Sequence, residues 1–254
     1  MTTTTCLNCQ AEIDKNYCST CGQKTDIHRI TVKHFLFHDL LHGVWHIDKG
    51  ILFTLKETIV RPGQAALDYI KGKRIRYYNV FYLCLLVIGL NLLLSHLYDS
   101  ILHTEVDPKN DTIAVSNFFK EHLKAILLSI IPILGLNSYW IFRRLKLNLA
   151  EQFILSGFCL LGMLLIGILF SLFDFINKFE IPSFMTFFEV ASFFMIPLFV
   201  SWTYYNATKG LYSFGGFFWR ILLFYICVFT VLLLFLSIIV TNLTDGKGAF
   251  YINL

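Results

Sequence analysis

The sequence predicts an all-α integral membrane protein with about five transmembrane helices, preceded by a small four-cysteine unit and an amphipathic helical segment. Composition is the first observation behind this prediction. Hydrophobic residues make up 56% of the 254 residues and charged residues only 15%, whereas soluble domains have about 45–50% apolar and about 25% charged residues. The second observation is a set of long apolar runs, and the third is the uneven placement of the basic residues. Together they place the chain in the membrane class.

Five apolar runs are long enough, or nearly so, to cross a hydrocarbon core about 30 Å thick, which takes roughly 17–25 helical residues. They cover residues 80–97, 123–142, 153–173, 184–205 and 221–240. The strands of a membrane barrel would alternate in polarity with a period of two. Because these runs are continuous, we predict helices. The fourth run is the weakest, and without it the C-terminus would lie on the other side of the membrane.

The basic residues predict the orientation of these helices. Sixteen of the 21 Lys and Arg residues lie in segments 1–78, 143–152 and 206–220. Segments rich in Lys and Arg stay in the cytoplasm, so we expect a cytoplasmic N-terminus, five crossings of the inner membrane and an external C-terminus. The stretch MTTTT has no basic region and no apolar region after it, which argues against a secretory signal peptide.

Four N-terminal cysteines, Cys6, Cys9, Cys18 and Cys21, have the spacing Cys-x2-Cys-x8-Cys-x2-Cys. Four thiolates brought together by two such turns suit a tetrahedral Zn²⁺ ion. The sequence therefore predicts a structural zinc ribbon, with a tight turn at Gly22 and a short hairpin between the two turns. A reducing cytoplasm disfavours disulfides, and a redox dithiol would need only one pair. Catalytic zinc is disfavoured because four cysteines leave no open position.

Three stretches carry a resemblance to a known family. They are Cys-Gly-Gln at 21–23, Arg-Ile-Thr at 29–31, and residues 48–81, which contain Arg61-Pro62-Gly63 and the run from Tyr69 to Arg74. The chain resembles an uncharacterised bacterial membrane family in these stretches. Its members join an N-terminal zinc ribbon to Arg-Pro-Gly and Tyr-Ile-x-Gly-Lys-Arg motifs and several membrane spans. The resemblance implies an architecture, and it implies no activity because the family has none assigned.

Half of the eight histidines lie in segment 32–48, namely His34, His38, His42 and His46. A spacing of four residues turns a helix by about 40°, so the four would form one slanting stripe beside an apolar face. This pattern predicts an amphipathic helix at the bilayer surface. Two functional alternatives stay open for the stripe, a second metal site and a pH sensor.

The stretch RPGQAALDYIKGKR predicts a short helix over 62–71, begun by Pro62 and ended by Gly72. Ala65 and Ala66 would face apolar surface and Asp68 would face outward. A juxtamembrane basic cluster surrounds this helix, formed by Arg61, Lys71, Lys73, Arg74 and Arg76. Such a cluster is either a topology anchor or a contact for anionic lipid. Nucleic acid is a disfavoured partner because the ribbon itself has little positive charge.

The sequence divides the chain into a zinc ribbon at 1–25, a cytoplasmic helical segment at 26–78 and a transmembrane bundle at 79–254. The function that the sequence favours is partner binding or regulation, in which the ribbon binds a cytosolic protein and the bundle contacts the bilayer. Transport or lipid handling by the bundle is the alternative, and a membrane enzyme is disfavoured. Glu189 is the single carboxylate inside an apolar run, which makes it a functional candidate. No catalytic residue is predicted, and a homo-oligomer stays open.

Overall fold

The computed structural model describes residues 4–13, 16–25, 29–30, 50–102, 112–177 and 182–243. These residues form seven α-helices: α1 (Gly50–Val60), α2 (Pro62–Ile70), α3 (Val80–Leu102), α4 (Thr112–Ile141), α5 (Leu149–Asn177), α6 (Pro182–Thr208) and α7 (Phe214–Leu243). Single 3₁₀ turns cover Arg74–Arg76 and Arg143–Leu145. Two short strands, β1 (Thr4–Thr5) and β2 (Glu12–Ile13), pair antiparallel. The predicted all-α class is thus confirmed outside this small N-terminal sheet.

Four helices are long and apolar enough to cross a membrane, over Arg74–Leu94, His122–Ile141, Leu149–Phe173 and Phe214–Ile239. They correspond to the first, second, third and fifth predicted runs. The fourth run, 184–205, lies in α6, whose 27 residues give a helix about 40 Å long. The side chains of 182–190 lie outside the described residues, so the fifth crossing stays a prediction here.

Helix α5 lies at the centre of the bundle and packs against α2, α3, α4 and α6. Its span is 56% buried, against 11% for the span of α7. Two of its glycines allow close neighbours, because small residues let helices approach each other. A Cβ on Gly162 would overlap the Phe199 ring of α6, and one on Gly157 would lie 3.1 Å from Val80 of α3. Five residues turn a helix by about 140°, so each glycine serves a different neighbour.

Few polar side chains join the helices to one another. Asn and Ser residues within the apolar helices mostly bond to a carbonyl of their own helix, as Asn91, Asn137, Ser129 and Ser171 do. Ser156 of α5 does reach another helix, with its Oγ 3.4 Å from Tyr204 Oη of α6. A second buried bond joins α4 to α5, where Ser138 Oγ donates to Gln152 Oε1 at 2.8 Å. Both bonds are buried.

One end of the bundle gathers the beginnings of α3, α5 and α7 and the ends of α4 and α6. The backbone N–H of Arg144 donates to Tyr212 Oη at 3.2 Å, and that of Gln64 donates to Asn206 Oδ1 at 2.8 Å. We define the basic end as residues 50–79, 142–148 and 206–220. It holds Lys56, Arg61, Lys71, Lys73, Arg74, Arg76, Arg143, Arg144, Lys146, Lys209 and Arg220. The cations that predict orientation therefore lie at one end of the helices.

Candidate metal centre and its docking to the basic end

The four N-terminal cysteines converge on one point. Their Sγ atoms all lie within 4.8 Å of one another, with Cys6 and Cys21 at 3.6 Å and Cys9 and Cys18 at 3.5 Å. Tetrahedral Zn–S bonds of about 2.3 Å place neighbouring sulfurs roughly 3.8 Å apart. Disulfide sulfurs would be about 2.05 Å apart, and all four cysteines are free. The cluster can therefore hold a metal ion such as Zn²⁺.

The two Cys-x2-Cys turns are an internal repeat with a shift of twelve residues. In the first turn, Gln10 N–H donates to Cys6 O at 2.9 Å and Cys6 N–H to Ala11 O at 2.8 Å. In the second turn, Gly22 N–H donates to Cys18 O at 2.8 Å and Cys18 N–H to Gln23 O at 2.8 Å. The flanking strands repeat as well, since Thr5 pairs with Glu12 and Tyr17 with Lys24. The described hairpins thus enclose the turns, whereas the sequence predicted a hairpin between them.

Each turn ends on a residue with left-handed backbone. Gly22, with φ +75°, confirms the tight turn predicted there, and Gln10 occupies the equivalent place with φ +65°. Only glycine adopts this conformation without steric cost. Sequence reasoning missed Gln10, although its position directly after the second cysteine of a pair is the same as that of Gly22. The geometry of the metal site therefore holds one non-glycine residue in an unfavourable conformation.

The thiol pKa values diverge within the cluster. The backbone amide of Cys21 lowers the pKa of Cys18 to about 6, and the Asn8 side chain lowers the pKa of Cys21. For Cys9, the Ala11 amide lowers the pKa, but burial and the neighbouring thiols outweigh it and raise the pKa to about 12. Adjacent thiolates repel one another. A divalent cation removes this repulsion and deprotonates all its thiol ligands.

The ribbon is docked on the segment that leads into α3. Gln23 Nε2 donates to Gly72 O at 2.7 Å in a buried bond, and an Arg76 Nη donates to Asn8 O at 2.8 Å. Asn8 belongs to the first turn and Gln23 to the second, so both halves of the ribbon contact the basic end. Sequence reasoning placed Gln23 in a motif but did not find this contact. The four-cysteine cluster is therefore joined directly to the segment that precedes α3.

The predicted lipid-contact cations differ in their surroundings. Lys71 is exposed and Arg74 lies in a 3₁₀ turn, while Arg76 bonds to the ribbon. Lys73 Nζ lies 2.8 Å from Asp68 Oδ1. The Asp68 side chain is largely buried, whereas the sequence predicted that it would face outward. Several of these cations thus have partners within the chain, and contact with anionic lipid stays a prediction.

Arg61 of this basic cluster lies between two carboxylates. It pairs with Glu57, one helical turn earlier, and its Nη1 is 3.5 Å from Asp68 Oδ2. The hydrogen bond that Arg61 donates to Glu57 raises the pKa of Arg61 above its ordinary value. Arg61 is the single residue between α1 and α2, and it therefore interacts with one carboxylate on each helix.

The Arg-Pro-Gly motif provides a close helix contact. Helix α2 begins at Pro62, and Gly72 has φ +105°, which confirms the predicted start and stop signals. A Cβ on Gly63 would overlap the backbone of Thr203 and Ala207 in α6. Ala65 and Ala66 are fully buried, as predicted. The motif thus lets α2 lie directly against the bundle.

Arg29 anchors the chain on the start of α5. Its Nε and Nη2 each donate to one Glu151 oxygen at 2.8 Å, which raises the pKa of Arg29. Asn148 and Glu151 also form a reciprocal capping box: Glu151 N–H donates to Asn148 Oδ1 at 2.9 Å, and Asn148 N–H to Glu151 Oε2 at 2.8 Å. Sequence reasoning missed this arrangement, although Asn-x-x-Glu before an apolar run is a signal for it.

The remaining predicted site residues lie outside the described residues. His34, His38, His42 and His46 fall within 31–49, and the side chain of Glu189 is not described either. A second metal site and a pH-sensing stripe therefore stay predictions.

The fold and the cysteine cluster are those of a candidate multi-pass membrane protein with a four-cysteine site that could hold a metal ion. Residues 48–89 match the family described as "Protein of unknown function (DUF3667)". This match covers about a sixth of the chain, including α1, α2 and the start of α3, and it agrees with the resemblance found over 48–81. Neither the curated proteins nor the solved structures contain a match to the chain.

Proposed function

We propose that this chain is an inner-membrane protein whose cytoplasmic zinc ribbon binds a cytosolic protein and thereby regulates the membrane bundle. The proposal divides the chain into the ribbon at 1–25, a cytoplasmic segment at 26–78 and the transmembrane part at 79–254. The observation that carries it is the docking of the ribbon on Gly72 and Arg76. These residues lie directly before α3, so a change in the ribbon acts on the first span.

The ribbon has the features of a metal-dependent binding surface. Its buried apolar core is formed by Cys6, Ile13 and Cys18 alone among the described residues, which is too small to fold without the metal. Two large apolar side chains project from it, Leu7 at 46% and Tyr17 at 61% exposure. Exposed aromatic residues are enriched at protein interfaces. We therefore place the partner contact at Leu7 and Tyr17.

A photo-crosslinking amino acid in place of Tyr17 tests this proposal in cells. We expect one discrete adduct between the full-length chain and a cytosolic protein, because Tyr17 projects from the ribbon. The same substitution at Leu52, which is 78% exposed on α1, serves as a control for an apolar site away from the ribbon. It should not give that adduct.

The variant Cys18→Ser tests whether the adduct at Tyr17 depends on bound zinc. The variant should lose its zinc, measured as metal per purified chain, and lose the Tyr17 adduct with it. Cys227→Ser in α7 is the matched control and should keep both. An adduct that persists without zinc would show that the folded ribbon is not the binding element. A second zinc that survives Cys18→Ser would instead favour a metal site in the His stripe.

Lipid handling by the bundle is a second candidate. A cavity at the basic end favours it, because the cavity combines cationic and aromatic side chains. We propose no catalytic residue for either function.

A further inference from the structure

The basic end contains a cavity of about 730 Å³ lined by three cations, Arg29, Arg143 and Lys146. Trp140 lines it beside them, and Arg143 lies 5.0 Å from the Trp140 ring centroid. Gln152, which is buried, adds an amide to the same wall. The cavity thus combines positive charge, an aromatic ring and a polar donor, which suits a phosphate group.

The cations of this cavity outnumber the carboxylates that pair with them among the described residues. Arg143 and Lys146 have no carboxylate partner among the described residues. Arg29 is paired with Glu151, but its side chain is 62% exposed while that of Glu151 is 4% exposed. The carboxylate is therefore shielded by the guanidinium that covers it. Within the part of the chain that the structure describes, three cations and one carboxylate give the cavity a net positive charge.

An apolar groove of about 710 Å³ begins at the same Trp140. It runs between α4 and α7, where Ile133 and Leu136 face Leu223 and Val231. From Trp140 to Ile133 the groove covers about 10 Å of α4. Trp140 lies at the end of a candidate span, where tryptophan occupies the headgroup level of a bilayer. The groove therefore extends from the headgroup level toward the hydrocarbon core.

We propose that the cavity and the groove form one site for an anionic phospholipid of the cytoplasmic leaflet. Its phosphate lies among Arg29, Arg143 and Lys146, and one acyl chain lies along the groove past Trp140. Charge complementarity selects the headgroup, and the shared tryptophan joins the two halves. This site is separate from the basic cluster at 61–76. It does not depend on the function proposed for the ribbon.

Tryptophan quenching by brominated lipid measures occupancy of this site. The full-length chain carries Trp45→Phe and Trp202→Phe, which leaves Trp140 and Trp219, and both of these line the groove. It is reconstituted into phosphatidylcholine vesicles that contain tail-brominated phosphatidylglycerol or tail-brominated phosphatidylcholine. We expect stronger quenching by the anionic lipid. Arg143→Gln and Lys146→Gln should each reduce the preference about five-fold, the effect of one cation near the membrane surface.

Arg144→Gln is the matched control because it removes the same charge from the neighbouring residue. Arg144 donates to Leu211 O at 3.0 Å and lies over the Tyr212 ring, away from the cavity. The Arg144→Gln variant should keep the stronger quenching by the anionic lipid. Equal losses in Arg143→Gln and Arg144→Gln would overturn the proposal, since general surface charge would explain them. Equal quenching by both lipids would also overturn the proposal. Displacement of the anionic lipid by excess inorganic phosphate would overturn it as well, because it would show a site for a free anion.

Discussion

At the scale of single residues, the metal centre depends on two positions with left-handed backbone, and only one of them is glycine. Gln10, at φ +65°, holds the place that Gly22 holds in the second turn. A side chain in this conformation costs roughly 1–2 kcal/mol. The cysteine spacing predicted the ligands because four thiolates in two pairs have few other uses in a reducing compartment. It did not predict Gln10, because glutamine as a residue type gives no sign of positive φ, and only its place after a cysteine pair, which Gly22 shares, indicates it.

Gln10→Gly should therefore stabilise the metal-loaded ribbon. We expect a gain of about 1 kcal/mol, which is about a five-fold rise in apparent zinc affinity. Competition with a chromophoric chelator measures it on the purified full-length chain. Gln10→Ala is the control, since it removes the side chain but keeps the Cβ that causes the strain. An equal gain in both variants would assign the effect to the glutamine side chain instead of the backbone.

The pair of Arg29 and Glu151 shows a second limit of sequence reasoning at this scale. Glu151 caps α5 from within the first turn, and the capping signal around it is visible in the sequence. Its partner Arg29 lies 122 residues earlier. A single sequence contains no signal for a contact at that separation. Local hydrogen bonding was thus predictable from neighbouring residues, and the long-range ion pair was not.

At the scale of elements, hydropathy located the spans but not their full length. The predicted run 80–97 lies in α3, which continues to Leu102, and the run 123–142 lies in α4 up to Ile141, with α4 beginning at Thr112. The apolar runs measure the hydrocarbon core, whereas helices continue through the polar headgroup region. Helix α2 was predicted from its Pro and Gly signals. Its docking against α6 was not predicted, because the periodicity of apolar residues shows which face of a helix is buried but not which helix packs against that face.

Gly63→Ala tests the docking of α2. The new methyl group would overlap the backbone of Thr203 and Ala207, and a backbone cannot give way as a flexible side chain can. We expect a loss of about 1–3 kcal/mol in stability, seen as a lower midpoint of thermal unfolding in detergent. Gly167→Ala in α5 is the control, since nothing lies within 4 Å of its added Cβ. A stability loss as large in Gly167→Ala would point to a general effect of replacing helical glycines.

At the scale of the whole molecule, the basic end constrains the path of the chain through the membrane. Helices α5 and α7 both begin at this end. Arg144, which precedes α5, contacts Leu211 and Tyr212, which precede α7. If α5 crosses the bilayer, the chain must return before residue 214. Helix α6 is the element between them, and its end lies against α2 at the basic end. This geometry supports the fifth crossing that hydropathy predicted for residues 184–205.

Five crossings place the N-terminus inside and the C-terminus outside, and reporter fusions test this path. A fluorescent protein that matures only in the cytoplasm should be dark after residue 243 and bright after residue 213, since α7 lies between these positions and we expect it to cross. An enzyme that becomes active only outside the cytoplasm should give the opposite pattern. Fusions at the N-terminus should be fluorescent, because we expect the positive charge of the basic end to hold that side in the cytoplasm. A fluorescent fusion after residue 243, with equal expression, would mean an even number of crossings and would remove α6 or another helix from the membrane.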